Sequence, residues 1–182
     1  MLGSLYVLLF KLAGWKLKGS MPTGIKKYVI AVAPHTSNWD FLVGVGARSA
    51  LRIQKAQFLG KSQLFKSPFG WFFRALGGHP VERTSSQDMV EQVVRIFNRH
   101  EEFILAMAPE GTRKKVTKLR TGFYFIAKEA HVPIIPVGFD FKTKEIIVGQ
   151  TLYPGNDFDA DMEKILSFYR TIHAKNPELG LF

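Results

Sequence analysis

The stretch that decides the fold is the apolar run Tyr28-Val29-Ile30-Ala31-Val32-Ala33, followed at once by Pro34-His35-Thr36-Ser37-Asn38-Trp39-Asp40. An uninterrupted run of six apolar residues predicts a strand that is buried on both faces, as the strands of parallel sheets are. A helix is predicted next, over residues 39–52, with Ser37 or Asn38 as its N-cap. A buried strand, a short polar turn and a helix together indicate an α/β fold.

The same alternation continues through the rest of the chain. Further strands are predicted at residues 57–60, 79–82, 103–106, 134–139 and 146–148, and further helices at residues 87–99, 121–130 and 160–174. Helices between strands predict a single α/β domain with a mostly parallel central sheet and helices on both of its faces. A chain of 182 residues can bury such a core, and no repeat or Pro/Gly-rich linker divides it. In such sheets, ligands bind beyond the carboxyl ends of the strands.

The polar turn after the first strand carries a candidate catalytic pair. Asp40 follows His35 by five residues, and the predicted N-cap places Asp40 in the first turn of the helix. An imidazole whose orientation is fixed by a carboxylate is a general base. A turn histidine beside a carboxylate that stabilises the helix dipole would show the same spacing, so the pattern alone leaves both interpretations open.

A second polar cluster follows another apolar run, about seventy residues downstream. It reads Pro109-Glu110-Gly111-Thr112-Arg113 and opens an irregular stretch that extends to about residue 120. Residues 113–120 contain five basic side chains and no acidic one. Glycine lets a backbone approach a ligand closely, and arginine binds phosphate through two parallel hydrogen bonds, so this loop is a candidate anion site. A solvated basic loop without a ligand is the alternative.

The net charge of +10 lies in the first half of the chain. Residues 1–83 hold 12 Lys and Arg side chains against two acidic ones, whereas the charges of the remainder cancel. The first ten residues are mostly apolar, and the cations Lys11, Lys16 and Lys18 surround Trp15 just after them. This pattern is typical of a helix in the membrane interface, so we expect residues 1–20 to be an amphipathic interfacial segment and residues 21–182 to be the main domain. A first helix packed on the protein's own core is the alternative.

Residues 65–74 are a second candidate for contact with lipid. Aromatic side chains alternate with cations there, as they do at the headgroup boundary of a bilayer. We expect this segment to dock on a membrane together with the N-terminus. The alternative is that its phenylalanines share a helix face and fill the core.

Several chemistries are excluded or disfavoured by the composition. The chain has no cysteine, which excludes a disulfide framework, a thiol nucleophile and a cysteine-rich zinc site. The five histidines are far apart in sequence, so no metal is expected. No nucleic acid is expected as a partner either, because the basic residues are scattered and no recognition helix or RNP-like motif is present.

Four blocks of sequence, taken in order, resemble the glycerolipid acyltransferases typified by 1-acylglycerol-3-phosphate acyltransferase. The blocks are His35-x-x-x-x-Asp40, the segment from Gly77 to Arg83, Pro109-Glu110-Gly111-Thr112-Arg113, and Val132-Pro133-Ile134-Ile135-Pro136. The resemblance implies that His35 is the base and that Asp40 orients it. It assigns the phosphate end of the acceptor to Arg83, Glu110, Gly111, Thr112 and Arg113. Ala108 stands where the family usually has phenylalanine, and His79-Pro80 stands where apolar residues are usual.

The resemblance also implies a reaction and its surroundings. A fatty acyl group would pass from an acyl thioester, either acyl-coenzyme A or acyl-carrier protein, to the free hydroxyl of a lysophospholipid. The expected acceptor is 1-acylglycerol-3-phosphate, with residues 21–182 as the acyltransferase domain and no cofactor beyond the co-substrate. We expect a peripheral, monotopic protein at the cytoplasmic face of a membrane, with membrane lipids and an anionic bilayer surface as partners. The alternatives are an acyltransferase or transacylase for a non-phosphoglycerol lipid and a non-catalytic membrane-associated protein.

Overall fold

The computed structural model describes residues 2–66, 68, 70–81 and 86–181, and these residues form a seven-stranded sheet with helices on both faces. The strands are β1 (Lys16–Lys18), β2 (Lys27–Val32), β3 (Ala56–Lys61), β4 (Gly78–Val81), β5 (Phe103–Met107), β6 (Ile134–Asp140) and β7 (Glu145–Val148). The helices are α1 (Leu2–Leu12), α2 (Trp39–Ala50), α3 (Ser62–Lys66), α4 (Gly70–Ala75), α5 (Ser86–Arg99), α6 (Gly122–Glu129) and α7 (Phe158–Tyr169), and a 3-10 turn covers Pro177–Leu179.

The sheet has the strand order β1-β7-β6-β2-β5-β3-β4 and is mostly parallel. The strands from β6 to β4 run parallel to one another. β7 runs antiparallel to β6 because residues 141–144 alone connect the two strands, and a parallel neighbour would need a crossover of a dozen or more residues. The predicted single α/β domain with a mostly parallel sheet is confirmed.

The sheet separates two hydrophobic cores. One core lies under α5, α6 and α7 and includes Phe97, Phe123 and Tyr169. The other lies under α1 and α2 and includes Phe10 and Phe139. The two helices of this second face pack closely at Gly46, where a Cβ atom would come within 2.8 Å of the Phe10 ring. The inner strand β2 is buried between both cores, and residues of β2 belong to each of them.

The structure differs from the predicted elements in three places. The helix predicted at residues 160–174 is α7, which ends at Tyr169 because the chain turns there and continues along the sheet edge. Residues 16–18, which lie inside the predicted interfacial segment 1–20, form β1 and pair with β7. The aromatic segment 65–74 overlaps the short helices α3 and α4, which are absent from the predicted elements although a helix is part of the alternative interpretation of this segment. Its side chains divide between the two interpretations, because Phe65 is buried whereas Trp71 and Phe72 are exposed.

One edge of the sheet is the short strand β4. Among the described strands it pairs with β3 alone, and Pro80 lies opposite Gly60 in that ladder. Proline has no backbone N–H and is found in sheets mainly on such edges. The residues His79-Pro80, which depart from the family pattern, thus lie at the sheet edge, with β3 and β5 between them and β2.

Candidate active site

The turn between β2 and α2 brings His35 and Asp40 together at the carboxyl edge of the sheet. His35 Nδ1 lies 3.0 Å from Asp40 Oδ2, and the His35 side chain is 25% exposed whereas that of Asp40 is 2% exposed. Asp40 is in the first turn of α2, as predicted. Because an ionised carboxylate only accepts hydrogen bonds, the imidazole hydrogen belongs on Nδ1, and the lone pair on Nε2 is left to take a proton.

Ser37 shapes this turn from inside. Its backbone N–H donates to Asp40 Oδ2 at 2.9 Å, and its hydroxyl accepts a hydrogen bond from Trp39 N at 3.1 Å. Of the two predicted N-caps, Ser37 is therefore the one whose side chain bonds to the helix, and Asn38 makes no side-chain capping bond. Asp40 Oδ2 is held by both the imidazole and the turn, which fixes the orientation of the pair.

Glu110 reaches the same turn from β5. The strands β2 and β5 are parallel neighbours, with Ala31 opposite Met107, so their carboxyl ends lie side by side. Glu110 is buried, and its Oε2 accepts a hydrogen bond from the backbone N–H of His35 at 2.7 Å. Burial raises the pKa of the Glu110 carboxyl, and the hydrogen bond from His35 offsets this rise only in part. The structure thus joins the two polar clusters that the sequence separates.

Two carboxylate oxygens at this site lack a hydrogen-bond partner. Within the residues that the structure describes, Asp40 Oδ1 and Glu110 Oε1 are both buried and unpartnered. Tyr169 of α7 supports the strand beneath them, because its hydroxyl donates to Ala31 O at 2.7 Å. Burial and the charge of Glu110 raise the pKa of Tyr169 well above its usual value. A buried acceptor that the fold leaves unpaired is a place where a donor on a ligand can bind.

The basic loop begins at Glu110 and closes on itself. Gly111 has a φ of +66°, a conformation that favours glycine, and a Cβ atom there would lie 2.8 Å from Arg120 Nε. Arg120 N donates to Pro109 O at 2.7 Å, which ties the two ends of the loop together. Thr112 is half-buried, and the Arg113 side chain is exposed. The loop therefore presents its cations to solvent at the carboxyl edge.

An apolar cavity of about 270 Å³ starts at the His35–Asp40 pair. It lies between α2 and the sheet, and its lining extends past the end of the helix to Leu51 and Ile53. From Asp40 to Leu51 the helix axis covers about 16 Å at ~1.5 Å per residue. Arg48 lines the far part, where its guanidinium donates to Leu76 O at 2.7 Å and also to Gln54 O. The pair thus stands at one end of a long, mostly hydrocarbon-lined space.

One family of known proteins accounts for most of the chain, including both polar clusters. The family model for acyltransferases matches residues 16–140. This chain belongs to the acyltransferase family. The resemblance inferred from the four sequence blocks is confirmed at the level of the family.

One curated relative and one solved structure are similar to this acyltransferase-family protein. The 1-acyl-sn-glycerol-3-phosphate acyltransferase of Streptococcus pneumoniae is 28% identical over 135 residues, which cover 69% of this chain and 49% of that protein. The chain therefore spans about half the length of this curated relative. The crystal structure of the 1-acyl-sn-glycerophosphate (LPA) acyltransferase PlsC from Thermotoga maritima matches with a TM-score of 0.63 and 18% identity, over 93% of this chain and 76% of that one. This second likeness shows a shared fold.

Three of the four remaining predicted site residues lie near His35, and the structure does not describe the fourth. Gly111, Thr112 and Arg113 follow Glu110 in one loop, next to the turn that holds His35. Arg83 lies outside the described residues. Across the described part of the chain, no three His, Cys, Asp or Glu side chains come together as metal ligands would.

Exposed apolar side chains cluster on two helices that pack together. Leu8, Leu9 and Leu12 are exposed on α1, and Trp39 and Leu42 are exposed on α2. α1 packs along α2, so we call these five side chains the apolar face. Trp39 of the apolar face directly precedes Asp40 in the sequence. None of the helices in the described ranges combines the length and the apolar character needed to cross a bilayer.

Proposed function

We propose that this protein transfers a fatty acyl group from an acyl thioester to the free hydroxyl of a lysophospholipid, with 1-acylglycerol-3-phosphate as the acceptor and phosphatidic acid as the product. The observation that carries the proposal is the His35–Asp40 pair at one end of an apolar cavity, because it combines a base with a space for hydrocarbon. The names of the two acyltransferases that resemble the chain support the choice of acceptor.

In the proposed reaction His35 acts first as a base and then as an acid. His35 Nε2 takes the proton from the acceptor hydroxyl while that oxygen attacks the thioester carbonyl. Asp40 keeps the other imidazole hydrogen on Nδ1 and stabilises the imidazolium that forms. When the tetrahedral intermediate collapses, the carbon–sulfur bond breaks and the proton passes to the departing thiolate. The products are an ester and a free thiol, and no acyl-enzyme forms.

The acyl chain is proposed to bind in the apolar cavity. Most of its lining is apolar and includes Val32, Met107 and Ala108. Burial of hydrocarbon in such a space is favourable by roughly 0.8 kcal/mol for each methylene group. The acyl chain in the cavity would leave its carbonyl carbon beside His35.

The phosphate of the acceptor is assigned to the basic loop. Arg113 offers an exposed guanidinium that can bind phosphate with two hydrogen bonds, and Gly111 and Thr112 offer backbone and hydroxyl groups beside it. Arg83 completes this set on the strength of the resemblance. Glu110 has a different part in the proposal, because a buried carboxylate would repel a phosphate. It holds the turn of His35 through the backbone hydrogen bond described above.

The donor and the membrane enter the proposal as partners. Acyl-coenzyme A or acyl-carrier protein supplies the thioester as a co-substrate, and no other cofactor is needed. The apolar face lies beside the turn of the catalytic pair and would rest on the cytoplasmic surface of a bilayer, where lysophospholipids reside. The excess of cations in residues 1–83 would favour an anionic surface.

Co-sedimentation with vesicles tests the membrane part. Wild-type protein should sediment with vesicles that contain phosphatidylglycerol, and the double variant Leu12→Ser, Leu42→Ser should sediment much less. Tyr153→Ser is the matched control, because Tyr153 is also exposed but lies outside the apolar face. Equal sedimentation of all three proteins would contradict the assignment of the apolar face.

A different lipid acceptor is a second candidate, and one observation favours it. Ala108, where the family usually has a phenylalanine, lines the cavity next to Met107. A small side chain there widens the space beside the pair and would accept a bulkier acceptor. A panel of lysophospholipids and lipids with other hydroxyl-bearing headgroups separates the two candidates, because the true acceptor gives the highest kcat/KM.

The decisive experiment is release of free thiol from a long-chain acyl thioester, with and without lysophosphatidic acid. Wild-type protein should release thiol only when the acceptor is present, and His35→Ala should lose this activity. His131→Asn is the control, because His131 has a φ of +53°, a conformation that asparagine tolerates, and it lies in the loop after α6. Thiol release that is independent of His35, or absent with every acceptor in the panel, would overturn the proposal.

A further inference from the structure

The chain after α7 crosses the carboxyl edge of the sheet. Residues 170–181, which we call the C-terminal strap, leave α7 at Tyr169 and first meet the end of β6. Phe141 N donates to His173 O at 2.9 Å, which fixes the strap to the residue that follows β6. The strap then continues from β6 to the neighbouring strand β2, whose end carries the turn of His35.

The anchor of the strap at β6 is firm. Asp140 Oδ2 accepts hydrogen bonds from His173 Nδ1 at 2.8 Å and from His173 N at 3.2 Å. Ile172 packs against β6 at Gly138, where a Cβ atom would come within 2.6 Å of it. Lys175 Nζ lies 5.8 Å from the centre of the Phe141 ring. The position of the strap on the sheet is thus determined by polar and apolar contacts together.

The strap reaches the catalytic turn through Asn176. Its side-chain amide Nδ2 donates to Thr36 O at 2.9 Å, and its backbone N–H donates to Thr36 Oγ1 at 3.2 Å. Thr36 is buried and directly follows His35. Two hydrogen bonds to one residue fix both its side chain and its peptide group.

Three separate segments hold three consecutive residues of this turn. Glu110 binds the N–H of His35, Asn176 binds Thr36, and Asp40 binds the N–H of Ser37. The first and third of these bonds come from residues that already belong to the candidate site. The second comes from the C-terminal strap, which the proposed reaction does not otherwise use.

We propose that Asn176 is a positioning residue for His35 and that the C-terminal strap acts as a clamp on the catalytic turn. This inference rests on the proposed function for its effect on turnover. Without the bond to Thr36 O, the peptide between Thr36 and Ser37 keeps only the bond from Ser37 N to Asp40 Oδ2, so its carbonyl can tilt and the backbone that carries the His35 ring shifts with it. Displacement of a catalytic group by about 1 Å lowers the rate by as much as ~100-fold, although no contact with substrate is lost.

Steady-state kinetics of two variants test the clamp. Asn176→Asp keeps the size of the side chain but replaces the donor with an oxygen that faces Thr36 O. Asn176→Ala removes the side chain and keeps the backbone bond to Thr36 Oγ1. Both should lower kcat by about 10- to 100-fold and leave the KM of donor and acceptor within about twofold, because only the base is displaced. Glu178→Gln, in the 3-10 turn of the same strap, is the matched control and should keep wild-type kinetics.

Amide hydrogen exchange provides a readout that does not depend on activity. In both Asn176 variants the amides of residues 35–37 should exchange at least about tenfold faster than in wild type, while the amides of β5 and α6 stay protected. A role confined to general stability would instead accelerate exchange throughout the domain and lower the melting temperature in proportion. Unchanged kcat together with unchanged exchange at residues 35–37 would overturn the clamp.

The two proposals fail in distinguishable ways. If wild-type protein transfers no acyl group to any acceptor, the proposed function is wrong, and local exchange at residues 35–37 still decides whether Asn176 holds the turn. If wild type is active and His35→Ala is not, but both Asn176 variants match Glu178→Gln in kcat and exchange, the clamp alone is wrong.

Discussion

Two histidine–aspartate pairs lie at the ends of the neighbouring strands β2 and β6. The ring nitrogen and carboxylate oxygen are 3.0 Å apart in the pair His35–Asp40 and 2.8 Å apart in the pair His173–Asp140. In both pairs the carboxylate is buried and the histidine is the more exposed partner. By distance and burial alone, the two pairs would be equally good candidates for a general base.

The surroundings of the two carboxylates are different. Asp140 Oδ1 accepts from the N–H groups of Lys142 and Thr143 at 2.9 Å each, and Oδ2 accepts twice from His173. Burial raises the pKa of Asp140, but these hydrogen bonds outweigh it and leave the pKa below its usual value. Asp40, in contrast, retains one buried oxygen that has no partner among the described residues.

The surroundings of the two rings differ as well. His35 lines the apolar cavity and is followed by a turn that three segments hold, whereas His173 is half exposed and does not line that cavity. Both oxygens of Asp140 accept hydrogen bonds, and the His173 ring is half exposed, so this pair connects the C-terminal strap to the end of β6. A carboxylate with an unpartnered oxygen, behind a ring that lines a cavity, fits the substrate site proposed above. The two pairs therefore differ in the oxygen atom and the ring surface that remain free for a ligand.

Removal of each histidine should give the largest contrast. His35→Ala should lower kcat by roughly 10²- to 10⁴-fold, because the general base is lost. His173→Ala should lower kcat by less than about tenfold and lower the melting temperature, because it loosens the anchor of the strap. Thiol release and thermal unfolding of both variants check this. If His173→Ala is folded but as inactive as His35→Ala, the two pairs do not differ in function.

The basic loop lies beside the pair His35–Asp40. Substitution of Arg113 in this loop should have the second-largest effect on activity. Arg113→Ala should raise the KM for lysophosphatidic acid by the equivalent of about 1.5–3 kcal/mol, which is the loss of one charged hydrogen-bonding partner of phosphate. Arg99→Ala is the control, since Arg99 ends α5 on the side of the sheet where the strands begin, away from their carboxyl ends. Acceptor titrations that leave the KM of Arg113→Ala at the wild-type value would remove Arg113 from the site.

Filling the cavity should change the preferred substrate. A Cβ atom at Gly44 would make only ordinary contacts, at 3.7 Å from the Phe139 ring, so a larger side chain extends into the space under α2. Gly44→Leu should lower kcat/KM for long-chain thioesters by about tenfold or more and affect short-chain ones little, while Gly44→Ala should affect neither. The measurement is a series of thioesters of increasing length. A uniform loss across the series would show that the acyl chain lies elsewhere.

The pH dependence of stability should have opposite signs for the buried carboxyl groups of Asp140 and Glu110. Because the pKa of Asp140 is lowered, its contribution is complete above the unfolded-state pKa and is lost as the pH falls through the folded-state pKa. Because the pKa of Glu110 is raised, its ionisation destabilises the fold increasingly as the pH rises from the unfolded-state pKa to the folded-state pKa.

Urea unfolding of wild type, Asp140→Asn and Glu110→Gln between pH 3 and pH 7 measures how the free energy of unfolding changes with pH. Carboxyl groups titrate in this range. As the pH falls, the stability that wild type has over Asp140→Asn should shrink. Over the same range, wild type should gain stability relative to Glu110→Gln. Slopes of the same sign for both variants would show that the two carboxyl groups are in similar environments.

Most of the sheet and both polar clusters could be predicted from the sequence. Uninterrupted apolar runs marked β2, β5 and β6 to within one or two residues, and the rule that ligands bind at carboxyl ends placed the two clusters together. The structure adds the contact itself, because Glu110 meets the His35 turn only after two neighbouring strands have paired.

The unpredicted parts have identifiable physical causes. β1 consists of three exposed residues without an apolar pattern, and α3 and α4 are too short to show a helical period. Tyr169 lies in the helix predicted at residues 160–174, but its hydrogen bond to Ala31 O depends on tertiary packing. The bond from Asn176 to Thr36 joins residues 140 positions apart in irregular chain, for which no local signal exists.

The proline in β4 bears on whether neighbouring copies of this protein can pair through their sheet edges. A peripheral protein on a bilayer is confined to two dimensions, so neighbouring copies meet often and in similar orientations. An open strand edge is a template on which such neighbours can pair into aggregates. β4 is four residues long, and Pro80 removes one of the donors from that edge. On the bilayer surface proposed above, β4 would therefore give neighbouring copies a poor template for pairing.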